Sequence, residues 1–572
     1  MSREPIIEFK DFSFRYKSQN EETLKNINLT IYKGEKVLLL GPSGCGKSTL
    51  ANCINGIIPF SFNGEIKGSC KIAGVESSTS SIFKLSSVVG TVLQDSDAQF
   101  VGLSVGEDIA YALENNMVPR NVMLKKVKDA ATIVHMEDFL ESVPYNLSGG
   151  QKQRVSLAGI MHDDVQILLF DEPLAALDPQ MGNQAIALID EIQKENEKTV
   201  LIIEHRLEDV LYRPVDRIIL MCDGEIIADT TPDKLLCSEK LRKDGIREPL
   251  YLSALNMASC KFSEDDHPSD IFSMNLDKYK DKLFSYFTSV KTSDVKKSNE
   301  CLLEVKNVSY KYKNRNVKVL DDVSFKVYKG EKIAIVGKNG AGKSTIAKML
   351  CGVIRPLEGE ILLNGENYLK YSIKEIGQKI GYVMQNPNQM LVKDIIKDEV
   401  SLGLRLNGYS DEEIEKRIEE ALKMCNLWPM RNWPVGVVSY GQKKRITIAS
   451  ILAMKPEIIV LDEPTAGQDY KVYTEIMSFL DELNKNYGIT ILFITHDMHL
   501  AIEYTDRAIV FAEGKCVGDD SVYKILSNNE IIEMANLKQT SLYTLAKRIG
   551  VKPELMIDSF ISEERRRRHE SW

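Results

Sequence analysis

The sequence predicts an α/β protein made of two tandem copies of one unit, and three observations predict it. Residues 24–49 (LKNINLTIYKGEKVLLLGPSGCGKST) align without a gap on residues 320–345 (LDDVSFKVYKGEKIAIVGKNGAGKST), an offset of 296 positions (320 minus 24). In each copy an apolar strand runs into a Gly-x-x-x-x-Gly-Lys-Ser loop, and a second apolar strand ends in paired carboxylates. Gln94 and Gln385, Ser148 and Ser439, Asp171 and Asp462, and His205 and His496 are then each 291 apart, so the first copy carries five extra residues (296 minus 291) before Gln94. Spacing this constant places one structural unit twice on the chain.

The chain has 572 residues, enough for three or four domains at roughly 150 residues each. Its 43% hydrophobic and 27% charged content is that of a globular protein able to bury full cores. No apolar run approaches the ~20 residues needed to span a bilayer. The N-terminus passes straight into an alternating strand pattern, so no export signal is expected. With 73 Lys plus Arg against 82 Asp plus Glu, the charge of −9 argues against a nucleic-acid partner. Ten scattered cysteines without a Cys-x-x-Cys pair read as reduced thiols of a cytosolic protein. Cys45, inside the glycine loop, reads as a small residue there, with a reactive thiol as the other reading.

The expected organisation is a first unit at 1–240, a Ser-, Asp-, Lys- and Asn-rich linker at 241–300, a second unit at 301–530 and a C-terminal helical extension at 531–572. The extension reads as helical to Ile561 and ends in a basic run, Arg565 to Arg568, taken as a solvated tail, with attraction to anionic lipid as the alternative.

The chemistry-bearing elements follow in chain order. Gly41, Ser43, Gly44, Gly46, Lys47, Ser48 and Thr49 lie after the strand 37–40; Gly337, Asn339, Gly340, Gly342, Lys343, Ser344 and Thr345 lie after 333–336. Strand, glycine loop and helix in this order form a P-loop, whose backbone N–H groups turn inward around phosphate oxygens. The lysines would neutralise the terminal phosphates of ATP and the serine hydroxyls would coordinate Mg²⁺. Gln94 and Gln385 follow apolar strands and could contact that metal or a water; each could equally be surface polarity. Ser148, Gly149, Gly150 and Gln151, and Ser439, Gly441 and Gln442, open helical runs, where Ser before Gly is also a plain cap.

Asp171 and Asp462 end strands 167–170 and 458–461, where a buried acid needs a metal or a partner. Each next residue, Glu172 or Glu463, points the other way along the strand and is the expected general base. His205 and His496 end a further core strand; a lone strand-end histidine is often structural, but the pair in register suits sensing of the γ-phosphate.

Taken together, these motifs resemble the nucleotide-binding domains of ATP-binding-cassette proteins, over nearly everything but the linker and tail. The resemblance implies a RecA-like core in each half, with an antiparallel β subdomain and a helical signature subdomain. It implies head-to-tail pairing of the halves around two ATP molecules, so no obligatory homodimer. Tyr16 and Tyr312 match the aromatic that stacks on adenine, and Asp178 and Asp469 match the loop joining the sites. Tyr440 departs from the glycine expected there.

The residues after the glutamines, QDSDAQFV from Gln94 and QNPNQM from Gln385, resemble the energy-coupling-factor importer ATPases, as does the run SYGQKKR from Ser439. That group implies a peripheral ATPase on the cytoplasmic face of the cell membrane. Its partners are a membrane coupling protein and a substrate-binding membrane subunit, and its cargo is a vitamin or metal micronutrient. Docking is expected through Phe100, Val101 and Leu103 and through Met390, Leu391 and Val392, with core packing as the other reading. Two alternatives stand: a soluble tandem cassette ATPase acting on ribosomes, and a tandem sugar-importer ATPase. The first usually reads Thr-Asn-His-Leu-Asp after its catalytic acids, unlike 174–178 (LAALD) and 465–469 (TAGQD) here. The second fits the length but resembles this chain less around the glutamine loops.

Overall fold

The computed structural model describes residues 4–93, 99–161, 165–175, 177–290, 298–313, 317–465 and 468–570. They divide into two units, Met1–Tyr279 with Asp469–Lys471, and Lys280–Gln468 with Val472–Trp572.

In the first unit, β1 (Pro5–Tyr16), β2 (Leu24–Tyr32), β3 (Lys36–Leu40), β4 (Gly64–Ile72), β5 (Val75–Glu76), β6 (Val89–Val92), β7 (Ile167–Asp171), β8 (Thr199–Ile203), β9 (Arg217–Cys222) and β10 (Glu225–Thr230) form two sheets. An antiparallel sheet has the order β2-β1-β4-β5; the other, β10-β9-β3-β8-β7-β6, is parallel apart from its β10 edge. Every residue of β3 and β8 is buried. A strand covered on both faces gains from a continuous apolar run, which is why 37–40 and 200–203 do not alternate. The helices Val105–Asn115, Arg120–Ile133 and Gly149–Met161 pack on one another as a separate helical layer.

The second unit repeats this plan with β11 (Cys301–Tyr310), β12 (Leu320–Tyr328), β13 (Lys332–Gly337), β14 (Glu358–Leu363), β15 (Glu366–Asn367), β16 (Ile380–Val383), β17 (Ile458–Asp462), β18 (Thr490–Ile494), β19 (Arg507–Ala512) and β20 (Lys515–Ser521). Its sheets run β12-β11-β14-β15 and β16-β17-β18-β13-β19-β20. Its helical layer is Ile396–Leu406, Asp411–Met424 and Tyr440–Leu452.

Of the segment expected as a linker, the described residues 241–290 are instead packed structure, and 291–297 lie outside the described residues. Residues up to Tyr279 group with the first unit, with the helix Leu250–Met257 burying Leu250, Leu252 and Leu255. The polar residues that make the sequence look unstructured are satisfied internally. Asp266 is 2% exposed, accepts from the Ser263 N–H (2.9 Å) and the Tyr279 hydroxyl (2.9 Å), and pairs with Lys278 at 2.7 Å. From Lys280 the chain groups with the second unit. There the helix Lys280–Ser289 buries Leu283 and Phe287 against the helices Ser541–Ile549 and Pro553–Glu570.

The C-terminal helix continues past Ile561 to Glu570; in the run expected as a solvated tail, Arg566 and Arg567 are exposed yet paired, Arg565 is half-buried, and the Arg568 side chain lies outside the described residues. Arg565 donates to the Thr505 carbonyl (2.6 Å) and pairs with Asp506 (3.1 Å). Arg566 and Arg567 converge on the buried Glu563 at 2.7 and 2.9 Å. Among the described residues no helix is long and apolar enough to cross a membrane.

Candidate functional site

The sheet order of each unit gathers its chemistry at the carboxyl ends of neighbouring central strands. In the first unit the glycine loop leaves β3, the acids end β7 and His205 follows β8, and β3, β8 and β7 are adjacent parallel strands. Crevices at the carboxyl ends of parallel strands are where such sheets bind ligands. In the second unit β13, β18 and β17 place Lys343, His496 and Asp462 in the same way.

The loop conformation requires glycine where it turns. A Cβ on Gly41 would lie 2.3 Å from the Met221 carbonyl oxygen, and one on Gly337 would lie 2.0 Å from that of Phe511. Gly46 and Gly342, with φ of 101° and 103°, open the helices Lys47–Ile54 and Lys343–Leu350 from the left-handed region. The helix N-termini thus meet the loops, and Ser43, Gly44, Asn339 and Gly340 form exposed tips. Lys47 is buried and donates to the Gly41 (2.8 Å) and Pro42 (2.9 Å) carbonyls. Lys343 does the same to Gly337 (2.7 Å) and Lys338 (3.0 Å). Each ammonium is anchored to carbonyls of its own glycine loop, and a lysine with a glycine loop at a helix N-terminus suits a polyphosphate.

Ser48 and Ser344 stay exposed while Thr49 and Thr345 turn inward and meet the tyrosines. The Tyr16 hydroxyl lies 3.2 Å from Thr49 Oγ1, and that of Tyr312 lies 3.4 Å from Thr345 Oγ1. Both rings are therefore fixed beside the P-loop helix at the end of β1 and beyond β11.

Burial pushes the Asp171 carboxyl up, as does neighbouring Glu172, while the nearby Ser48 hydroxyl pulls it down. Burial also raises Asp462, opposed by the Tyr382 hydroxyl, which donates to its Oδ2 at 2.7 Å. A half-buried acid beside a hydroxyl, next to the glycine loop, suits Mg²⁺. The glutamates carry a feature that motif reading did not supply: Glu172 and Glu463 sit at φ 50° and 44°, in the left-handed region. Non-glycine residues there cost about 1–3 kcal/mol and cluster at functional sites. The turn aims each side chain at its histidine, Glu172 Oε1 lying 2.7 Å from His205 Nε2 and Glu463 Oε1 2.8 Å from His496 Nδ1.

Ser148 and Ser439 are exposed and each exchanges bonds with Gln151 or Gln442, the reciprocal pattern of a capping box. Gly149 and Gly150, like Gly441, lie in the first turn of the helices so capped. Asp178 caps the helix Pro179–Glu195 through Met181 N at 2.9 Å. Gln94 lies outside the described residues, whereas Gln385 is exposed just beyond β16. Of the docking residues, Val101, Leu103 and Val392 are exposed, and Phe100, Met390 and Leu391 are half-buried. Met390 turns its sulfur to the Met384 N–H at 3.2 Å.

The helical layer also places residues that motif reading passed over. Gln153 donates to the Pro173 carbonyl in the first unit. At the aligned position (444 minus 291) stands Lys444, fully buried, whose ammonium donates to the Met384 (2.8 Å) and Gln385 (2.9 Å) carbonyls. Burial pushes it down to about 8. Only the mismatch between the two copies could have flagged it, since lysine on a polar helix reads as solvated.

Comparison with known proteins agrees with this geometry. Residues 24–175 and 320–466 match the family described as ABC transporter. A Clostridium perfringens (strain 13) protein named as an ABC transporter ATP-binding protein is 54% identical over 566 residues, covering 99% of each chain. The chain belongs to the ABC transporter ATP-binding family. A Photobacterium profundum relative of the same name class is 53% identical over 555 residues, 97% of this chain and 98% of its own length. Residues 238–310 match a family described as ATP-binding cassette cobalt transporter. A solved Clostridium perfringens structure, titled cbiO1 and part of the ABC transporter complex cbiONQ, is 32% identical with a TM-score of 0.39, covering 44% of this chain and all of its own. As an ABC transporter ATPase the chain binds ATP and hydrolyses it in a reaction coupled to transport.

Proposed function

We propose that the chain is the energy-coupling ATPase of an energy-coupling-factor type importer, acting at the cytoplasmic face of a membrane through a membrane coupling protein and a substrate-binding membrane subunit. The cargo class is a vitamin or metal micronutrient. The observation that carries this reading is the match of residues 238–310, the segment that follows the first ATP site, to the cobalt-transporter family.

In each site the P-loop lysine and backbone would hold the β- and γ-phosphates of ATP, with adenine against Tyr16 or Tyr312. Mg²⁺ would be held by Ser48, Gln94 and Asp171 in the first unit and by Ser344, Gln385 and Asp462 in the second. When bound it neutralises phosphate charge and polarises the bond to be broken. Glu172 and Glu463 take the proton of the attacking water; their left-handed backbone fixes where that carboxylate stands. His205 and His496 orient the carboxylate through its Oε1 and present the imidazole to the γ-phosphate side. Ser148 and Ser439, with the glycines and glutamines beside them, offer helix N-termini to phosphate. Exposed Leu103 and Val392 lie in the segments that follow the glutamine loops, where a partner helix would dock.

One experiment with two sets of variants tests this. The chain is co-expressed with the membrane proteins encoded beside it, and membrane recovery, ATPase and uptake are followed. Glu172→Gln with Glu463→Gln should lower hydrolysis and uptake by about 10²- to 10⁴-fold while the chain stays on the membrane. Leu103→Glu with Val392→Glu should release the chain with its ATPase intact. Membrane recovery unchanged by the charged pair would remove the docking reading, and recovery of the chain on ribosomes would favour the alternative assignment.

A further inference from the structure

We propose that Tyr440 and Lys444 are positioning residues that clamp the backbone of Gln385, so that the second unit's signature helix sets the geometry of that unit's own ATP site. The proposal rests on reading Gln385 as the residue that meets the metal or the water. Two side chains from one face of the helix Tyr440–Leu452 converge on one carbonyl. The Tyr440 hydroxyl donates to Gln385 O at 3.1 Å and the Lys444 ammonium donates to the same oxygen at 2.9 Å. Lys444 also holds Met384 O at 2.8 Å, and Lys443 reaches Asn388 Oδ1 at 3.1 Å. The loop is gripped at its first residues and again three residues on.

The cost of this arrangement argues that it is specific. A buried ammonium is unfavourable unless its charge is met, and Lys444 is 0% exposed. It is met by two carbonyl oxygens and by the fields of Asp462 and Glu463, which oppose the downward push of burial on its proton affinity. Lys444 therefore lies electrostatically between the glutamine loop and the acids that the metal and water would use. The first unit is built differently at both positions. Gly149, aligned with Tyr440, has no side chain, and Gln153 grips Pro173, the residue after Glu172, at the aligned place of Lys444. The tyrosine that departs from the usual signature thus has a partner of its own, and the lysine follows from the same contact.

Steady-state kcat and KM for ATP, with melting temperature, are measured on the full chain carrying Glu172→Gln, so that turnover reports the second site. Tyr440→Phe removes one oxygen and Lys444→Met removes the donors at similar length. Each is expected to lower kcat roughly 3- to 10-fold with KM within about twofold. In a chain that also carries Gln385→Ala, neither should lower kcat further, although melting temperatures still fall. An unchanged kcat for Tyr440→Phe, or an equal fold-loss with Ala at 385, overturns the proposal. Should Lys444→Met not fold, Tyr440→Phe alone decides. Loss of all turnover in Glu172→Gln itself counts against two separately working sites; the same cycle is then run with Glu172 present and is read in the same way.

Discussion

The P-loop glycines offer a graded test of the cradle, because the same substitution meets different surroundings at two positions three residues apart. Gly44→Ala places a methyl where nothing lies within 4 Å, so its cost is that of a left-handed alanine at φ +79°, about 1 kcal/mol. Gly41→Ala places it 2.3 Å from Met221 O, whereas ordinary contact begins at 3.4 Å. The gap of 1.1 Å (3.4 minus 2.3) must come from a backbone carbonyl of β9, held between β3 and β10 in the sheet. Overpacking against a fixed backbone adds to the conformational cost and brings the total to about 4 kcal/mol. At roughly 2–4 °C per kcal/mol for a unit of this size, the first unit should melt about 3 °C lower for Gly44→Ala and about 12 °C lower for Gly41→Ala. Scanning calorimetry of the full chain measures both, and Gly337→Ala, 2.0 Å from Phe511 O, should lower the second unit comparably. A shift for Gly41→Ala no larger than that for Gly44→Ala would refute the argument from close backbone approach.

Phe287→Ala removes a fully buried ring from the segment expected as linker and should destabilise the second unit by about 3–5 kcal/mol, seen as a lower calorimetric transition; a loss under about 0.5 kcal/mol would return the segment to an open linker. Hydrogen bonds from Arg566 hold the Glu563 carboxyl down at about 2, with Arg567 assisting and burial opposing. A depressed carboxyl contributes stability that is present above its unfolded value near 4.5 and is lost as pH falls through about 2. With its arginine partners partly exposed, that contribution is roughly 1–3 kcal/mol at pH 7. Glu563→Gln should therefore lose most at pH 7 and converge on the parent chain as pH falls through that window, measured by denaturant unfolding across pH.

The parts of the fold legible in the sequence are those where one local signal suffices. Continuous apolar runs such as 37–40 and 200–203 mark strands buried on both faces, and the glycine loop marks its own strand–turn–helix context. Repetition pointed to the acids and the histidines, and the structure sets each glutamate–histidine pair in contact. The linker misled because Ser, Asp, Lys and Asn signal solvent only when they lack internal partners, and Asp266 takes an ion pair and two hydrogen bonds inside the fold. Arg565 misled in the same way, since Asp506 faces it from within the folded unit, while the exposed Arg566 and Arg567 pair with the buried Glu563.

The site shows the same boundary more sharply. Residue type and spacing gave the glutamates a role, but not the left-handed backbone that aims them, because φ depends on how β7 and β17 leave the sheet. Both glutamates share that conformation and both hydrogen-bond the register-matched histidine, so the strained turn belongs to the repeated unit and not to one copy. Where the copies differ, at Gly149 against Tyr440 and Gln153 against Lys444, the side chains reach backbone carbonyls that carry no sequence signature. The proposed chemistry rests on the agreement of the two halves; what would tune each site separately lies in their disagreements, and the second unit's grip on Gln385 is one of these.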